Sequence, residues 1–343
     1  MHSVVFKNDA VGDLVHSLKA ISNIVNSSAK VTIFLSKISE NFSFLLHNSK
    51  VEIKILNYNL SFFEKIKIIF YLKKMNVKNV YILSPKNFYY YLPYFFKKIK
   101  FFAICVNNAN NYRRPIPMLR KLLFKYEIND REKIFKRDST RAIQDRLTFA
   151  HNSKSSFSLN INVNKSKELQ VRLPKKYIYF HFKKKIFNQL GWGLNDITIL
   201  FNEFVHYGNN VVFTKDIETD KYNFLFKENF NSYDFTSKKF IDNKKKILFF
   251  DNIVGKDLFN VIKYSHKIVA FHGMMTNLGF LLNKPVLDLF HCNMSSWDAY
   301  RRYRNSFYEF KPKYNGYDFI IPKKNINKTI NKIQFSLRKC LKE

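Results

Sequence analysis

Short apolar runs alternate along the chain with segments in which apolar residues recur at helical spacing. Ser3–Phe6, Lys30–Leu35 and Val51–Leu56 are predicted strands, and Asp13–Asn26 has the spacing of an amphipathic helix. This alternation is typical of a doubly wound α/β domain, in which ligands bind at the carboxyl ends of parallel strands. The same pattern predicts helices at Phe42–His47 and Phe62–Met75 and strands at Asn79–Leu83 and Lys100–Val106.

The pattern changes after Asn111 and starts again near Lys176. A short basic helix is predicted at Leu119–Tyr126, a polar segment follows at Asp130–Phe149, and His151–Pro174 is polar and aperiodic. We therefore predict a first domain at 1–150, a linker at 151–174 and a second α/β domain at 175–343. The further predicted strands are Lys176–Phe182, Asn210–Thr214 and Lys246–Asp251, and the further helices are Asp196–His206, Lys256–Tyr264 and a terminal helix, Asn327–Leu341, that would pack on the first domain.

The stretch Lys267–Phe290 contains the clearest candidate ligand site. It is predicted to form a buried strand, a turn at His272-Gly273, a helix at about Thr276–Leu282 and a second buried strand at Val286–Leu289. A βαβ unit of this kind builds a parallel sheet, and a glycine in the turn lets the backbone approach a ligand closely. The free N–H groups at the start of the helix favour an anion. A purely structural turn is the alternative interpretation.

Composition adds a strong positive charge. The 343 residues include 59 Lys and Arg against 26 Asp and Glu, which gives a formal net charge of +33. Charge of this sign favours an anionic membrane surface, a phosphorylated substrate or nucleic acid as a partner. The abundance of Lys, Ile and Asn also resembles the drift of an AT-rich genome, so background composition is a further explanation for part of the charge.

Several protein classes are disfavoured. The 3 scattered cysteines predict neither a zinc site nor a disulfide framework, and they fit a reducing, cytosolic compartment. The chain opens in a strand with no signal peptide, and it has no uncharged apolar window of about 18 residues that would predict a membrane span. No G-x-G-x-x-G follows a strand and no Walker loop or H-E-x-x-H is present, which argues against dehydrogenases and NTPases.

Two basic segments have open interpretations. Phe88–Cys105 interleaves aromatic residues with lysines, which suits a membrane interface or, alternatively, a buried helix and strand joined by a lysine-containing turn. Asp130–Phe149 carries arginines in a chain that otherwise prefers lysine, and bidentate phosphate or carboxylate contact needs arginine geometry. A solvated helix face is the alternative. These arginines are Arg131, Arg137, Arg141 and Arg146.

The opening FKNDAVGDLVHSLKAI resembles the amino-terminal signature of the heptosyltransferases, glycosyltransferase family 9, which is a strand, a Gly-Asp pair and an amphipathic helix. The likeness continues in outline over most of the chain, through Lys284-Pro285-Val286. It implies the GT-B architecture: an α/β fold of two facing Rossmann-like domains with parallel sheets, here with a C-terminal helix. Family members transfer a sugar from a nucleotide donor to the lipopolysaccharide inner core. The turn HGMMTNLGFL departs from their usual Asp-Thr-Gly and is closer to the His-Gly-x-x-Thr-Asn turn of family 61 glycosyltransferases, which leaves the donor sugar open.

The resemblance implies an inverting transfer in which a carboxylate takes the proton of the acceptor hydroxyl. Asp13 matches the Gly-Asp pair of the family and is the predicted base, with Asp9 as the second choice. A helix-capping role is the alternative for Asp13. The predicted acceptor-binding residues are Gly12, Arg113, Arg114 and Arg120.

The departing nucleotide diphosphate needs positive charge or oriented N–H groups. The lysines from Lys183 to Lys185 would supply charge, and His272 would bind phosphate or ribose. Glu218 or Asp251 would hold the base or the ribose. The predicted donor-binding residues are His272, Gly273, Met274, Thr276, Asn277, Lys183, Lys185 and Asp251.

Together these observations predict a metal-independent glycosyltransferase with no cofactor, located in the cytoplasm and bound peripherally to the inner face of the cytoplasmic membrane. The predicted partners are a nucleotide-sugar donor, a lipid-linked or phosphorylated cell-surface glycan acceptor and an anionic membrane surface, whereas nucleic acid is not expected. The rival interpretations are a basic nucleic-acid-binding protein and a related glycerophosphate or sialyl-type polymer transferase.

Overall fold

The computed structural model describes residues 1–107, 113–130, 140–148, 163–206, 210–216, 221–290, 318–320 and 323–341. The chain divides into two compact units, Met1–Asn162 and Val163–Glu343. Each unit is built around a mainly parallel sheet with helices in the connections between strands. The predicted α/β class is confirmed for both halves.

The first unit is a doubly wound sheet. Its strands lie in the order β3-β2-β1-β4-β5-β7, all parallel, and β6 adds a short antiparallel pair to the end of β5. Its elements are β1 (His2–Lys7), α1 (Val11–Asn26), β2 (Lys30–Ser36), a 3₁₀ helix (Lys37–Leu46), β3 (Val51–Leu56), α2 (Phe62–Lys74), β4 (Val77–Ile82), α3 (Asn87–Phe95), β5 (Lys100–Asn107), β6 (Arg113–Arg114), α4 (Pro117–Arg120), β7 (Lys125–Asp130) and α5 (Thr140–Thr148).

Local sequence signals explain where these elements begin and how they pack. Ser61 and Glu64 form a capping box at the start of α2, because the Ser61 hydroxyl accepts from the Glu64 N–H and the Glu64 carboxylate accepts from the Ser61 N–H. On the inner face of the sheet, the ring of Phe6 stacks on Tyr89 at 4.1 Å and on Phe34 at 5.2 Å between centroids. The helices α2, α3 and α4 share one apolar core with these strands.

One predicted helix in the first unit is wrong. Leu119–Tyr126 was expected to be helical, but α4 ends at Arg120 and Tyr126 lies in β7. The free edge of β5 explains the difference, because β7 pairs with it in parallel and the Phe124 N–H donates to the Phe101 carbonyl at the start of that pairing. A tertiary partner has overridden the local helical spacing.

The segment Phe88–Cys105 forms a helix and a strand, as in the second interpretation, and one side of the helix is exposed. α3 ends at Phe95, a short lysine-containing turn follows, and Lys100 begins β5. Within the described residues no helix is long and apolar enough to cross a membrane.

The second unit contains a sheet of eight strands in the order β11-β10-β12-β9-β8-β13-β14-β15, parallel except for β11 at one edge. Its elements are α6 (Lys167–Arg172), β8 (Tyr177–Phe182), α7 (Lys184–Leu190), α8 (Leu194–His206), β9 (Asn210–Lys215), α9 (Lys221–Asn229), β10 (Asn231–Asp234), β11 (Phe240–Ile241), β12 (Ile247–Asp251), α10 (Gly255–Tyr264), β13 (Lys267–Phe271), α11 (Met274–Leu281), β14 (Val286–Leu289), β15 (Asp318–Ile320) and α12 (Ile326–Leu341).

The core of the second unit is unusually aromatic. The ring of Phe213 stacks on Phe249 at 4.9 Å and meets the rings of Phe226 and Phe230 edge-on at 5.1 and 5.4 Å. Edge-to-face contacts of this kind add to the stabilisation that comes from burying the rings. The high phenylalanine content of the chain is therefore used in packing.

Part of the segment between the predicted domains lies within the described residues. Residues 151–162 lie outside the described residues, but Leu169 of α6 is fully buried in the second unit. The Asn260 amide donates to the Asn164 carbonyl at 2.8 Å, and the Arg172 guanidinium lies 4.2 Å from the ring centre of Tyr233. Residues 163–174, which were assigned to the linker, thus belong to the second unit.

The terminal helix also packs on the second unit, which corrects the expectation that it would pack on the first. Ile326, Ile330 and Ile333 of α12 are buried in the core of the second unit. The Gln334 amide donates to the Glu203 carboxylate of α8 at 2.8 Å. These isoleucines recur at helical spacing and find their apolar partner next to the sheet that precedes them.

Candidate functional site

The carboxyl ends of four adjacent strands in the second unit bring charged side chains together. The order β9-β8-β13-β14 is parallel throughout, so the residues that end these strands lie along one edge of the sheet. Lys183 follows β8, His272 follows β13, and Asp288 lies near the end of β14. Polar residues at this edge of a parallel sheet are the default candidates for ligand binding.

The turn between β13 and α11 requires glycine. Gly273 has φ 151° and ψ −144°, a backbone conformation that residues with a side chain rarely adopt. A Cβ at this position would lie 2.7 Å from the Lys183 Nζ atom. The glycine therefore allows both the turn and the close approach of the lysine.

Thr276 closes the same turn. Its hydroxyl accepts from the Gly273 N–H at 3.0 Å and donates to the Gly273 carbonyl at 2.8 Å. These two contacts hold the Gly273 N–H and the Thr276 hydroxyl within the turn. The first N–H groups of α11, from Met274 onward, remain without an acceptor inside the helix and form its positive end.

His272 is fixed by a buried carboxylate. Its Nδ1 atom lies 2.7 Å from Oδ2 of Asp288, which is fully buried, and its ring stacks on Phe290 at 4.3 Å. When Asp288 is ionised its carboxylate only accepts, and Nδ1 then carries the hydrogen in this pair. Within the described residues the Nε2 atom of His272 has no hydrogen-bond partner, and it is the edge of the ring that can meet a ligand.

Lys183 completes this group. Its ammonium donates to the His272 carbonyl at 2.8 Å, and this is its one hydrogen bond to the described part of the chain. An ammonium has three donors, so two remain for a ligand. Burial lowers the pKa of Lys183, while the negative charges of Asp216 and Asp288 oppose the shift.

Burial shifts the pKa values of Lys183 and Asp288 in opposite directions. Burial raises the pKa of Asp288, and the positive charges of His272 and Lys183 reduce the effect. Lys183 and Asp288 are therefore both less readily charged than they would be in water. A bound dianion beside Lys183 would favour its ammonium form, which is the behaviour expected of an anion site.

A second polar chain, not predicted from the sequence, lies beside the first. His181 is buried, with Nδ1 2.9 Å from the Thr214 hydroxyl and Nε2 3.2 Å from the half-exposed Asp216 carboxylate. The Thr214 hydroxyl also lies 2.7 Å from the Tyr179 hydroxyl. Burial lowers the pKa of His181, although Asp216 opposes the shift. A polar residue near the end of an apolar strand, as in Tyr-Phe-His-Phe, was the available signal.

The other predicted donor-binding residues differ in their surroundings. Asn277 is buried on α11, and its Oδ1 atom has no hydrogen-bond partner among the described residues. Met274 is half-buried at the start of the same helix. Lys185 is exposed on α7, two residues beyond Lys183. The structure thus brings Lys183, His272 and Asp288 together and leaves Lys185 on the solvent side.

The corresponding edge of the first unit carries the predicted base. Asp13 is exposed in the first turn of α1, next to Gly12, while the N-cap position belongs to Ala10. Asp9 is mostly buried and forms an ion pair of 2.8 Å with the buried Lys7. The second choice for the base is therefore held in an ion pair, and the first choice is exposed to solvent.

Comparison with solved structures places both units in one known architecture. The chain matches Escherichia coli ADP-heptose lipopolysaccharide heptosyltransferase II with a TM-score of 0.60 and 13% identity, covering 98% of each chain. It matches a glycosyl transferase family 9 protein from Veillonella parvula with a TM-score of 0.60 and 11% identity, covering 98% of this chain and 89% of that one. The fold is GT-B.

The same fold occurs in a second class of enzyme. UDP-GlcNAc 2-epimerase from Methanocaldococcus jannaschii matches with a TM-score of 0.59 and 12% identity, covering 99% of this chain and 93% of that one. No protein-family model and no curated protein matches the sequence. The GT-B fold is therefore established by architecture, and the chemistry has to be argued from the site.

In this GT-B chain Asp251, predicted to hold the base or ribose, has structural partners. Its carboxylate lies 2.7 Å from the Lys227 ammonium and accepts from the Asn223 amide at 2.8 Å and from the Asn252 N–H at 3.0 Å. Lys227 also contacts Asp234, which lies at the end of the neighbouring strand β10. A carboxylate with this many partners is suited to joining α9 to the sheet. Glu218 lies outside the described residues.

We expect Asp251→Ala to lower the free energy of unfolding without changing nucleotide affinity. Removing one partner of a buried ion pair typically costs several kcal/mol, and about 2–3 kcal/mol is expected here because Lys227 keeps contact with solvent. Chemical denaturation measures the loss, and calorimetric titration of the folded variant measures binding. Unchanged stability together with lost affinity would instead assign Asp251 to the ligand.

The predicted acceptor-binding arginines are mostly engaged in the first unit. Arg120 is buried, donating to the Pro115 carbonyl at 3.2 Å and to the Asn107 side chain at 2.8 Å. Arg114 donates to the Pro85 carbonyl at 3.0 Å. Arg113 pairs through its backbone with Asn107, at the carboxyl end of β5. These contacts shape the sheet edge, and they leave little of Arg120 for a ligand.

Of the arginines in the polar segment Asp130–Phe149, the structure describes the side chain of Arg146 alone. Arg146 on α5 forms an ion pair of 2.9 Å with Glu127 of β7. Arg131, Arg137 and the side chain of Arg141 lie outside the described residues. Among the residues that the structure describes, no group of three or more His, Cys, Asp or Glu side chains is arranged to hold a metal ion.

Proposed function

We propose that this chain is a glycosyltransferase that moves a sugar from a nucleotide-sugar donor to a glycan acceptor. The GT-B fold supports a transferase of this kind. The single observation that carries the proposal is the group formed by Lys183, His272 and the start of α11 at the strand ends of the second unit.

The diphosphate of the donor would bind to this group. Lys183 offers two ammonium donors, α11 offers backbone N–H groups, and the Nε2 edge of His272 offers a third contact. Backbone N–H groups at a helix start combine with the helix dipole to favour an anion. As the bond to the sugar breaks, these donors would stabilise the charge that develops on the departing diphosphate.

Asp288 would act through His272 as a positioning residue. The buried carboxylate holds the imidazole by Nδ1, and Phe290 fixes the plane of the ring. A second hydrogen on Nε2 would make the imidazole a cation that donates to a phosphate oxygen. The chain's own groups would therefore supply the positive charge that we assign to the diphosphate site.

The acceptor would be activated in the first unit. The Asp13 carboxylate would remove the proton of the acceptor hydroxyl while its oxygen forms a bond to the anomeric carbon of the donor sugar. The bond from that carbon to the diphosphate would break at the same time, and the nucleoside diphosphate would leave with the bonding electrons. Attack opposite to the leaving group inverts the anomeric configuration. Asp9, held by Lys7, would support the loop.

The acceptor is proposed to be a lipid-linked or phosphorylated cell-surface glycan, such as a lipopolysaccharide core. The formal net charge of +33 supports an anionic acceptor or an anionic surface near it. We propose that the protein works in the cytoplasm, bound peripherally to the inner face of the cytoplasmic membrane.

A thermal-shift screen of nucleoside diphosphates and nucleotide sugars tests the donor site. A ligand at 100 times its Kd should stabilise the folded chain by roughly 2.7 kcal/mol. Lys183→Met should abolish the response, and Lys185→Met, a matched change on the exposed face of α7, should leave most of it. Because the pKa of Lys183 is lowered, affinity should also decline at alkaline pH, earlier than for an exposed lysine, and the decline should be missing in Lys183→Met.

The outcomes separate the candidate functions. No stabilisation by any nucleotide, together with salt-sensitive binding of duplex DNA, would favour the nucleic-acid-binding alternative. Nucleotide-sugar turnover without any acceptor would favour an epimerase, which shares this fold. Turnover that depends on an added glycan acceptor supports the transferase.

A further inference from the structure

Two exposed aromatic residues end α3 in the first unit. Tyr94 is 68% exposed and Phe95 is 64% exposed, and their ring centroids lie 5.9 Å apart. The opposite side of the same helix is buried, with Tyr90 in the core. Both sides of α3 therefore carry aromatic residues, one side buried and the other exposed.

The neighbouring helix α4 adds to the same surface. α3 and α4 are in contact and share the core of the first unit. Leu122 and Phe124, which follow α4, are 41% and 60% exposed. The Phe124 N–H donates to the Phe101 carbonyl, so this end of α4 lies beside the start of β5, where α3 also ends. We call Tyr94, Phe95, Leu122 and Phe124 the aromatic face.

Lysines surround the aromatic face. Lys97 and Lys98 lie in the turn after α3, and Lys121 lies between α4 and Leu122; all three are exposed. The Lys100 ammonium lies 4.5 Å from the ring centre of Phe124. Within the described part of the chain none of these four lysines forms an ion pair.

The segment of sequence that contains this face has fewer acidic residues than background composition explains. Between Glu64 and Glu127 the sequence has no acidic residue and 14 Lys and Arg. At the average frequency of the chain, 26 in 343, about five acidic residues would be expected there. Composition drift would enrich lysine throughout the chain, but it would not remove every carboxylate from one continuous segment.

We propose that the aromatic face and its lysines are the surface through which the protein docks on an anionic lipid bilayer. Exposed aromatic rings suit the level of the lipid headgroups, and the neighbouring ammonium groups attract the negative surface of the leaflet. The absence of carboxylates from the segment favours an anionic bilayer over a protein partner, whose interface would combine both signs of charge. This docking surface deepens the proposed function, since it identifies the membrane contact suggested above.

Vesicle co-sedimentation tests the proposal on the full chain. Wild-type protein should bind vesicles that contain phosphatidylglycerol and should not bind phosphatidylcholine vesicles. Lys97→Glu with Lys98→Glu should weaken binding by more than tenfold, since each basic group near an anionic surface contributes about a factor of five. Tyr94→Ser with Phe95→Ser should cause a loss of similar size.

Matched variants in the second unit control for charge and hydrophobicity. Lys175→Glu with Lys176→Glu makes the same charge change at an exposed pair. Phe224→Ser with Phe335→Ser removes two aromatic residues that are 65% and 69% exposed. Both control variants should bind like the wild type. Equal losses in the control and test variants, or no binding by the wild type, would overturn the proposal.

The nucleotide response keeps this test separate from that of the glycosyltransferase. Variants of the aromatic face should keep the thermal shift with nucleotides, because their substitutions lie outside the donor site. Vesicle binding without any nucleotide response would contradict the proposed function and leave the docking surface standing. A nucleotide response without vesicle binding would support the proposed function and contradict the docking surface.

Discussion

Asp13→Asn is expected to reduce sugar transfer by about 10³-fold while leaving nucleotide affinity unchanged, which is the size of effect that loss of a general base produces. The amide has the shape of the carboxylate but cannot accept the acceptor proton. Asp13 is exposed in the first turn of α1, and the N-cap position belongs to Ala10, so the substitution should have a small effect on folding. Turnover is measured with donor and acceptor both saturating.

A matched control separates chemistry from helix stability. Asp257→Asn removes an acidic residue from the first turn of α10, where the loss of the interaction with the helix dipole should cost less than about 1 kcal/mol, as for Asp13→Asn. Asp257→Asn should keep its turnover. Retained turnover in Asp13→Asn would refute the base assignment, and loss of nucleotide affinity in that variant would move Asp13 to the donor side.

Gly273→Val is expected to weaken nucleotide binding by at least about tenfold. The φ of 151° is a strained conformation for any residue with a side chain, at a cost of about 1–3 kcal/mol, and valine adds branching at Cβ. The new Cβ would also meet the Lys183 Nζ atom at 2.7 Å and displace the ammonium from the turn. Both effects disturb the group that we assign to the diphosphate, and calorimetric titration measures the change.

Gly193→Val is the matched control, because a Cβ at Gly193 meets no atom within 4 Å and the residue has no positive φ. It should leave the affinity unchanged. If Gly273→Val also lowers the melting temperature, Lys183→Met resolves the cause, since it removes the ammonium without changing the backbone. Unchanged affinity in Gly273→Val would reduce the turn to an element of the fold.

The sequence predicted the elements better than it predicted their partners. β3 and β14 were predicted with the same bounds as observed, because β3 alternates apolar and charged residues and β14 is a short run that follows Pro285. The helix predicted at Leu119–Tyr126 failed because the edge of β5 offered hydrogen bonds that helical spacing does not reveal. The terminal helix was recognised by its spacing, but spacing does not indicate which sheet an apolar face will cover.

The candidate site shows the same limit at the level of side chains. Lys183, His272 and Gly273 were predicted because each follows an apolar strand. Asp288 and His181 were missed because they lie within such strands, where a polar residue looks like an interruption. Only the order of the strands shows that Asp288 faces His272 from the adjacent strand. Asp251 lies at the end of a predicted strand, but its partner Lys227 comes from a helix that the sequence analysis did not predict.

Because the main strands of the first sheet run in one direction, the start of β5 and Asp13 lie at opposite ends of that sheet. Their separation sets the height above a bilayer at which the docked protein would act. Lys100 is level with Asn79 of β4 and, through it, with Ser3 of β1. The four steps along the strand from Ser3 to Lys7 rise about 13 Å, which exceeds the thickness of one headgroup layer, about 6 Å, and Asp13 lies beyond that end. A protein docked through the start of β5 would therefore reach a hydroxyl on a sugar that projects from the leaflet. It would not reach the headgroups themselves.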